Sequence, residues 1–337
     1  MARKSLNNNL AKAKKNKNDE FYTQLVDIEN ELKHYKNHFK DKTVYCNCDD
    51  PRVSNFFHYF SYNFENLGLK KLITTCYKNQ DMELFSKNSS ERAIYLEYNG
   101  DKNGDKVPNP TEIGIKLLKG DGDFRSPESI ELLKQADIVV TNPPFSLFRE
   151  YVAQLIDYEK QFVIIGNKNA ITYKEIFKLI KDNKLWIGNT PMGVDMLFDV
   201  PKEFAQKLIS NKKEGSSYRL INGVVKGRAQ AVWFTNLDHD KRHENLILYK
   251  TYNEAEYPKY DNYDAINVDK TSDIPIDYQG AMGVPITFLD KYNPDQFEIL
   301  GMDDHRLQYP EWRGRGPDLN GKAIYRRVII SNKNPKN

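Results

Sequence analysis

Asn142-Pro143-Pro144-Phe145 is the segment of this chain best suited to chemistry, and it directly follows the run Asp137-Ile138-Val139-Val140-Thr141. With proline at about 5% of residues in ordinary proteins, such a tetrapeptide arises by chance in on the order of one chain in several hundred. Two prolines end a strand, fix φ and remove two backbone donors, so the loop offers carbonyl acceptors on a stiff frame. The Asn142 side-chain oxygen and the Pro143 carbonyl make two acceptors for one exocyclic NH2, and Phe145 gives a flat base a face to stack on. An amine suited to such a site is N6 of adenine, whose lone pair is delocalised into its ring. Acceptors that pull on both hydrogens favour a pyramidal nitrogen with its lone pair aimed at an electrophilic methyl group, which is catalysis by orientation. That attack needs no strong base, and the motif contains neither His nor carboxylate. The plainer alternative is a turn that merely stops a strand.

Other groupings carry less. His34 with His38, and His239 with His243, have i,i+4 spacing that suits metal binding, but no carboxylate or cysteine completes either set and no metal is expected. Cys46 and Cys48 lie too close in sequence for an easy disulfide, and packing suits them better. Trp233 and Phe234 fit equally a core or the second wall of a pocket for an extruded base. Arg313, Arg315, Arg326 and Arg327 could read guanine edges, touch phosphates or simply be surface.

A frame must position the motif, and the pattern of the chain supplies one. Apolar spacing predicts a helix over Asp19–Lys36 and a strand over Thr43–Cys48 ending at Asp49-Asp50-Pro51. Pro51 suits the first position of a helix with Asp50 as N-cap, carrying Phe56, Phe57, Phe60 and Phe64. A strand is expected over Leu72–Tyr77, then an insertion over about 79–110 around a strand-like run at Ala93–Tyr98. Ile115–Leu118 leads to Gly120-Asp121-Gly122-Asp123-Phe124, followed by a helix at Glu128–Gln135, the strand before the motif, a helix around Leu147–Tyr158 and a strand at Phe162–Gly166. This alternation predicts an α/β fold with a mostly parallel sheet covered on both faces. Ligands of such sheets bind outside the carboxyl ends of the strands, where the motif sits. Past about residue 190 the rhythm is lost, with short runs at Gly223–Val225 and Ala231–Thr235 and a Tyr-, Asp- and Asn-rich stretch at 252–264.

At 337 residues the chain can bury one large core or two ordinary ones. A mean hydropathy of -0.72, no apolar run of membrane-spanning length and no signal-like start lead to the expectation of a cytoplasmic protein. Three cysteines cannot build a disulfide framework. Fifty Lys+Arg against 47 Asp+Glu name no partner, but the first eighteen residues carry Arg3, Lys4, Lys12, Lys14, Lys15 and Lys17 and no acid. They read either as a solvated tail or as an arm that meets phosphates.

The chain resembles the amino-group DNA adenine methyltransferases, and more closely the EcoRI-type adenine-specific methylases. Besides Asn142-Pro143-Pro144-Phe145, the resemblance rests on Asp19-Glu20-Phe21-Tyr22-Thr23-Gln24, Tyr45-Cys46-Asn47-Cys48-Asp49-Asp50-Pro51-Arg52 and Gly120-Asp121-Gly122-Asp123-Phe124-Arg125. It extends to Thr235-Asn236-Leu237-Asp238-His239 and to Tyr257-Pro258-Lys259-Tyr260-Asp261-Asn262-Tyr263-Asp264, and so covers most of the chain. It implies a Rossmann-like sheet that binds S-adenosylmethionine, with a gamma-like motif order and a C-terminal target-recognition region. Phe21, Tyr22 and Thr23 would close over the methionine part of the cofactor, Cys48, Asp49, Asp50 and Pro51 would hold its amino-acid end, and Asp123 and Phe124 would contact its adenine. Asn142, Pro143, Pro144 and Phe145 would be catalytic, and the N-terminal cations with Arg313 and Arg315 would contact DNA.

The implied organisation is a basic arm over 1–18, a catalytic domain over 19–250 and a recognition region over 251–330, with contributions from 190–228. The implied function is site-specific methylation of a flipped-out adenine in double-stranded DNA by a monomer of restriction-modification type. A cognate restriction endonuclease would act on the same site without a stable complex. Alternatives are an inactive DNA-binding protein with a methylase fold, or an RNA or protein-glutamine N-methyltransferase. The chain departs from the usual pattern twice. No glycine-rich loop follows the first strand, and no acid follows Tyr77-Lys78 to grip the cofactor ribose, a role that Glu97 could take instead.

Overall fold

Apolar, β-branched runs supply the centre of a sheet in the computed structural model, which describes residues 23–48, 54–76, 93–105, 108–109, 112–210, 214–302 and 317–336. β1 (Thr43–Cys46) is buried along its whole length, as a strand covered on both faces must be. It pairs in parallel with β2 (Lys71–Thr75). β3 (Ile94–Tyr98) runs antiparallel to β2, and β4 (Gly114–Leu117) antiparallel to β3. The run expected inside an insertion is therefore β3, and it lies within the sheet between β2 and β4. On the other side of β1 comes β5 (Ile138–Thr141), then β6 (Gln161–Asn167), both parallel.

The described residues fall into two units, drawn from Met1–Ala170 with Thr190–Leu237, and from Ile171–Asn189 with Asp238–Asn337. The boundary expected at 250 thus lies nearer 237, residues 190–228 belong to the first unit, and 171–189 join the second. β7 (Trp186–Ile187) is in the second unit. In the first, β8 (Met196–Asp199), β9 (Tyr218–Ile221) and β10 (Val224–Ala229) form a small antiparallel sheet. β11 (Ala231–Thr235) then joins the main sheet, antiparallel to β6, so that the strands of the first unit run in the order β4-β3-β2-β1-β5-β6-β11.

Helices cover both faces of this sheet. α1 (Leu25–Leu32) and α2 (Asn55–Tyr62) set Ile28, Leu32, Phe56 and Phe60 in one core with Val44, Val140, Val163, Ile165 and Trp233. The helix expected over 19–36 is therefore confined to Leu25–Leu32 among the described residues, followed by a 3-10 turn at Lys36–His38. α2 starts at Asn55, later than the Asp50-Pro51 start expected, because Ser54 before it keeps an extended backbone (φ -68°, ψ 123°). Phe64 opens the next helix, α3 (Phe64–Leu67). α4 (Pro127–Gln135) is capped by the Ser126 hydroxyl, which accepts from Ser129 N–H.

α5 (Phe148–Asp157) follows the Asn-Pro-Pro-Phe loop. Its Phe148 ring lies 5.0 Å from that of Phe234, and a Cβ on Gly166 would stand only 2.5 Å from Phe148 Cε2. Trp233 and Phe234 are both fully buried and point into opposite cores, so neither is a pocket wall.

The second unit holds α6 (Lys174–Lys181), while α7 (Lys202–Ser210) belongs to the first. A four-stranded sheet in the second unit joins β12 (Ile266–Asn267), β13 (Met282–Pro285), β17 (Arg327–Asn332) and β14 (Phe297–Met302), in that order. β15 (Asp318–Leu319) and β16 (Lys322–Ala323) make a hairpin braced by the Tyr-, Asp- and Asn-rich stretch. Asp261 Oδ2 accepts from Gly321 N–H at 2.7 Å, and Asn262 Oδ1 from Asp318 N–H at 3.0 Å. Among the described residues no helix is long and apolar enough to cross a membrane.

Candidate active site

Strand order reverses between β1 and β5, and open α/β sheets take their ligands outside the carboxyl ends of the strands at such a point. Asn142 leaves β5 at that point and Cys48 leaves β1. Two hydrogen bonds lock the ends together: Thr141 Oγ1 donates to the Asn47 carbonyl, and the Tyr151 hydroxyl of α5 donates to Asn47 Oδ1. All three residues are buried. Burial pushes the Tyr151 phenol well above its usual pKa, which keeps it a donor. Asn142 is 7% exposed. The Pro144 carbonyl accepts from Leu147 N–H at 2.9 Å and so starts the 3-10 turn Phe145–Leu147, while Phe145 packs partly buried against the core. The carbonyl of the second proline thus turns the chain.

The loop after β1 explains how it manages without glycine. Cys48 itself adopts φ 86°, in the left-handed region that glycine fills at little cost. Asp49, Asp50 and Pro51 lie outside the described residues, as do Phe21 and Tyr22. Thr23 is described: its carbonyl accepts from Asn55 Nδ2 at 2.7 Å, which brings the expected N-terminal cofactor segment to the start of α2, the helix that the first-strand loop enters. Thr23 Oγ1, and Thr74 Oγ1 near the end of β2, are buried with no hydrogen-bond partner among the described residues. Such atoms fit a polar ligand bound at this edge.

The Gly120–Phe124 loop crosses the end of β2 closely. Gly122 has φ 78°, and a Cβ there would lie 2.2 Å from the Cys76 carbonyl oxygen. Next along the chain, Arg125 grips the Asp123 carboxylate with Nε on Oδ1 at 2.9 Å and Nη2 on Oδ2 at 2.7 Å. Burial alone would raise the Asp123 carboxyl, but the hydrogen bonds and charge of Arg125 outweigh it and hold the group below the usual carboxylate range. Phe124 is buried edge-on to the Tyr151 ring at 5.0 Å, and its carbonyl accepts from Gln154 Nε2 at 3.1 Å. The described members of all three expected cofactor segments, Thr23, Cys48 and Asp123-Phe124, are therefore tied to elements at one edge of the sheet.

Glu97 does not join them. Lys71 at 2.7 Å and Lys116 at 3.0 Å take its two oxygens, and Lys71 opens β2 at the end away from the crevice. The expected DNA contacts Arg3, Lys4, Lys12, Lys14, Lys15, Lys17, Arg313 and Arg315 all lie outside the described residues. Among those described, no group of three or more His, Cys, Asp or Glu is placed to hold a metal. His239 Nε2 meets the Ile187 carbonyl and His243 meets Asp238. Sequence reasoning missed Asn47, Tyr151, Gln154 and Arg125 as parts of the site. Asn47 and Arg125 stood inside the quoted motifs, whereas nothing local marks Tyr151 or Gln154.

Comparison with known proteins identifies a family for the chain. The family model described as "Adenine-specific methyltransferase EcoRI" matches residues 9–333. The Type II methyltransferase M.EcoRI of Escherichia coli is 52% identical over 340 residues, covering 99% of each chain. A Type II methyltransferase of Mycoplasma genitalium is 42% identical across 95% of this chain and 97% of its own. One of Mycoplasma pneumoniae is 41% identical across 86% of this chain and 84% of its own. No solved structure matches. With a family model spanning nearly its whole length and such relatives beside it, the chain belongs to the EcoRI family of adenine-specific methyltransferases.

Proposed function

We propose that this enzyme methylates N6 of adenine at a defined sequence in double-stranded DNA, with S-adenosylmethionine as donor, as the modifying half of a restriction-modification pair. The observation that carries this reading is the placement of Asn142 at the strand-order reversal, hydrogen-bonded through its neighbour Thr141 to the first-strand loop. The cofactor supplies an electrophilic methyl group on a sulfonium. Thr23, the Cys48–Pro51 loop and Asp123-Phe124 are the residues that would hold it. The Asn142 amide oxygen and the Pro143 carbonyl accept the two N6 hydrogens and turn the nitrogen lone pair out of conjugation. Phe145 stacks on the base. The bound cofactor would supply the methyl group and keep the electrons of its carbon–sulfur bond, while Asn142 and Pro143 hold N6 in line for the transfer and the surplus proton of the methylated amine would leave to solvent. The base must leave the helix stack to reach this edge.

Target recognition falls to the second unit with Arg313 and Arg315, and the N-terminal cations run along phosphates. The enzyme acts in the cytoplasm as a monomer, and a cognate endonuclease would share its site without binding it. Replacement of Asn142 by Ala is expected to preserve cofactor and DNA binding while methyl transfer falls by several orders of magnitude in a radiolabel assay. Near-normal turnover would sink the mechanism.

A further inference from the structure

The first two turns of α5 touch the loops assigned to the cofactor at three places. Tyr151 holds Asn47, Gln154 holds the Phe124 carbonyl, and Glu150 Oε2 accepts from Arg125 Nη1 at 2.9 Å. Arg125 uses each guanidinium nitrogen differently: Nε on Asp123 Oδ1, Nη2 on Asp123 Oδ2 and Nη1 on Glu150. Its guanidinium also lies over the Phe124 ring, 5.2 Å from the centroid. A carboxylate offers about four acceptor positions. Asp123 Oδ1 already takes two donors, Arg125 Nε and Arg125 N–H, each at 2.9 Å, and Oδ2 takes one. One position on Oδ2 is left for an amine. A fork of this kind fixes the carboxylate plane, which a point charge cannot do.

We propose that Arg125 is a positioning residue: braced on Glu150, it orients Asp123 so that Oδ2 accepts the exocyclic amine of the cofactor's adenine. It thereby ties that carboxylate to the helix leaving the catalytic loop. The proposal rests on the reading of Asp123 as a cofactor contact. The cation that meets Asp123 is Arg125; the other charged groups of this loop and its flanking helices are Lys119, Asp121, Glu128, Glu131 and Lys134 of α4, and Arg149, Glu150 and Asp157 of α5.

Calorimetric titration of the full chain with S-adenosylmethionine tests it, using Arg125→Lys, Asp123→Asn, the double variant, Glu150→Gln and Arg125→Met. Lys keeps the charge without the plane, so Arg125→Lys should weaken cofactor binding tenfold or more, and Glu150→Gln a few-fold. In the Asp123→Asn background, Arg125→Lys should cost nothing further. In Arg125→Met the half-buried carboxyl loses its partner and titrates higher. Cofactor affinity should then fall from pH 7 to pH 5, where the unaltered protein stays flat. Wild-type affinity in Arg125→Lys, or equal losses in both backgrounds, would overturn the positioning role while leaving Asp123 in place. Unchanged affinity in Asp123→Asn would instead remove the reading of Asp123, and the proposal with it.

Discussion

Gly122 and Gly104 form a matched pair for testing the cofactor loop. Both have left-handed backbones, at φ 78° and 82°, but a Cβ on Gly104 meets nothing within 4 Å whereas one on Gly122 would lie 2.2 Å from the Cys76 carbonyl oxygen. Gly104→Ala therefore pays only for the conformation, about 1 kcal/mol. Gly122→Ala adds a shortfall of 1.2 Å, since 3.4 Å less 2.2 Å separates ordinary contact from this one. The obstacle is backbone and cannot rotate aside, so the loop must shift by about 1 Å and take Asp123 and Phe124 with it. Gly104→Ala should lower the unfolding free energy in urea by about 1 kcal/mol and leave cofactor titration unchanged. Gly122→Ala should be less stable still and lose at least tenfold in cofactor affinity, about 1.4 kcal/mol. Wild-type affinity in Gly122→Ala would refute the assignment of this loop to the cofactor. Equal stability of the two variants would refute the close crossing of β2.

Three other outcomes are expected. Cys48→Gly should relieve the left-handed strain and raise the urea midpoint, by about 1 kcal/mol in stability, with a lower midpoint arguing that the cysteine side chain matters more than its backbone. Burial raises the Asp27 carboxyl from 3.8 to about 6, so the folded state holds its proton more tightly than the unfolded state. That stabilisation is complete below pH 4 and lost as pH rises through 6; Asp27→Asn should therefore gain about 1 kcal/mol at pH 8, after solvent screening of a partly exposed group, and nothing at pH 4. Deleting residues 1–16 removes Arg3, Lys4, Lys12, Lys14 and Lys15, and should flatten the salt dependence of DNA affinity, without changing sequence preference. The log–log slope should fall by roughly 0.9 for each phosphate no longer neutralised. An unchanged slope would make the arm a solvated tail.

Much of the frame was legible because buried parallel strands must be apolar throughout, and Val139-Val140 or Phe162-Val163-Ile164-Ile165 read as little else. The Asn142–Phe145 loop was legible for a different reason: two prolines after such a strand leave few conformations. Pairing partners were not legible. Nothing in Ile94–Tyr98 says that it enters the sheet beside β2, since its alternating pattern suits an edge equally well. Trp233 and Phe234 look alike in sequence whether they face a core or a cavity. Tyr151 and Asn47 meet across 104 positions, and only the finished fold brings a hydroxyl of one helix to the end of a distant strand. The surroundings of Glu97 were not legible for the same reason, because only the finished sheet shows that Lys71 and Lys116 take its two oxygens.

The antiparallel closure of the main sheet has a consequence for synthesis. Residues 231–235 pair with 163–167, and between them the chain must first lay down all of 171–189, which belongs to the other unit. While the ribosome is still making that stretch, β6 has one edge of amides and carbonyls without its strand, and the place of Trp233 among Phe56, Val163 and Ile165 is unfilled. Long-range pairing of this sort is slow and leaves an open edge to recruit other strands in the meantime. A nascent chain stopped before Ala231 should therefore be captured by chaperones or aggregate, and release past Thr235 should be the point at which the first unit becomes resistant to protease.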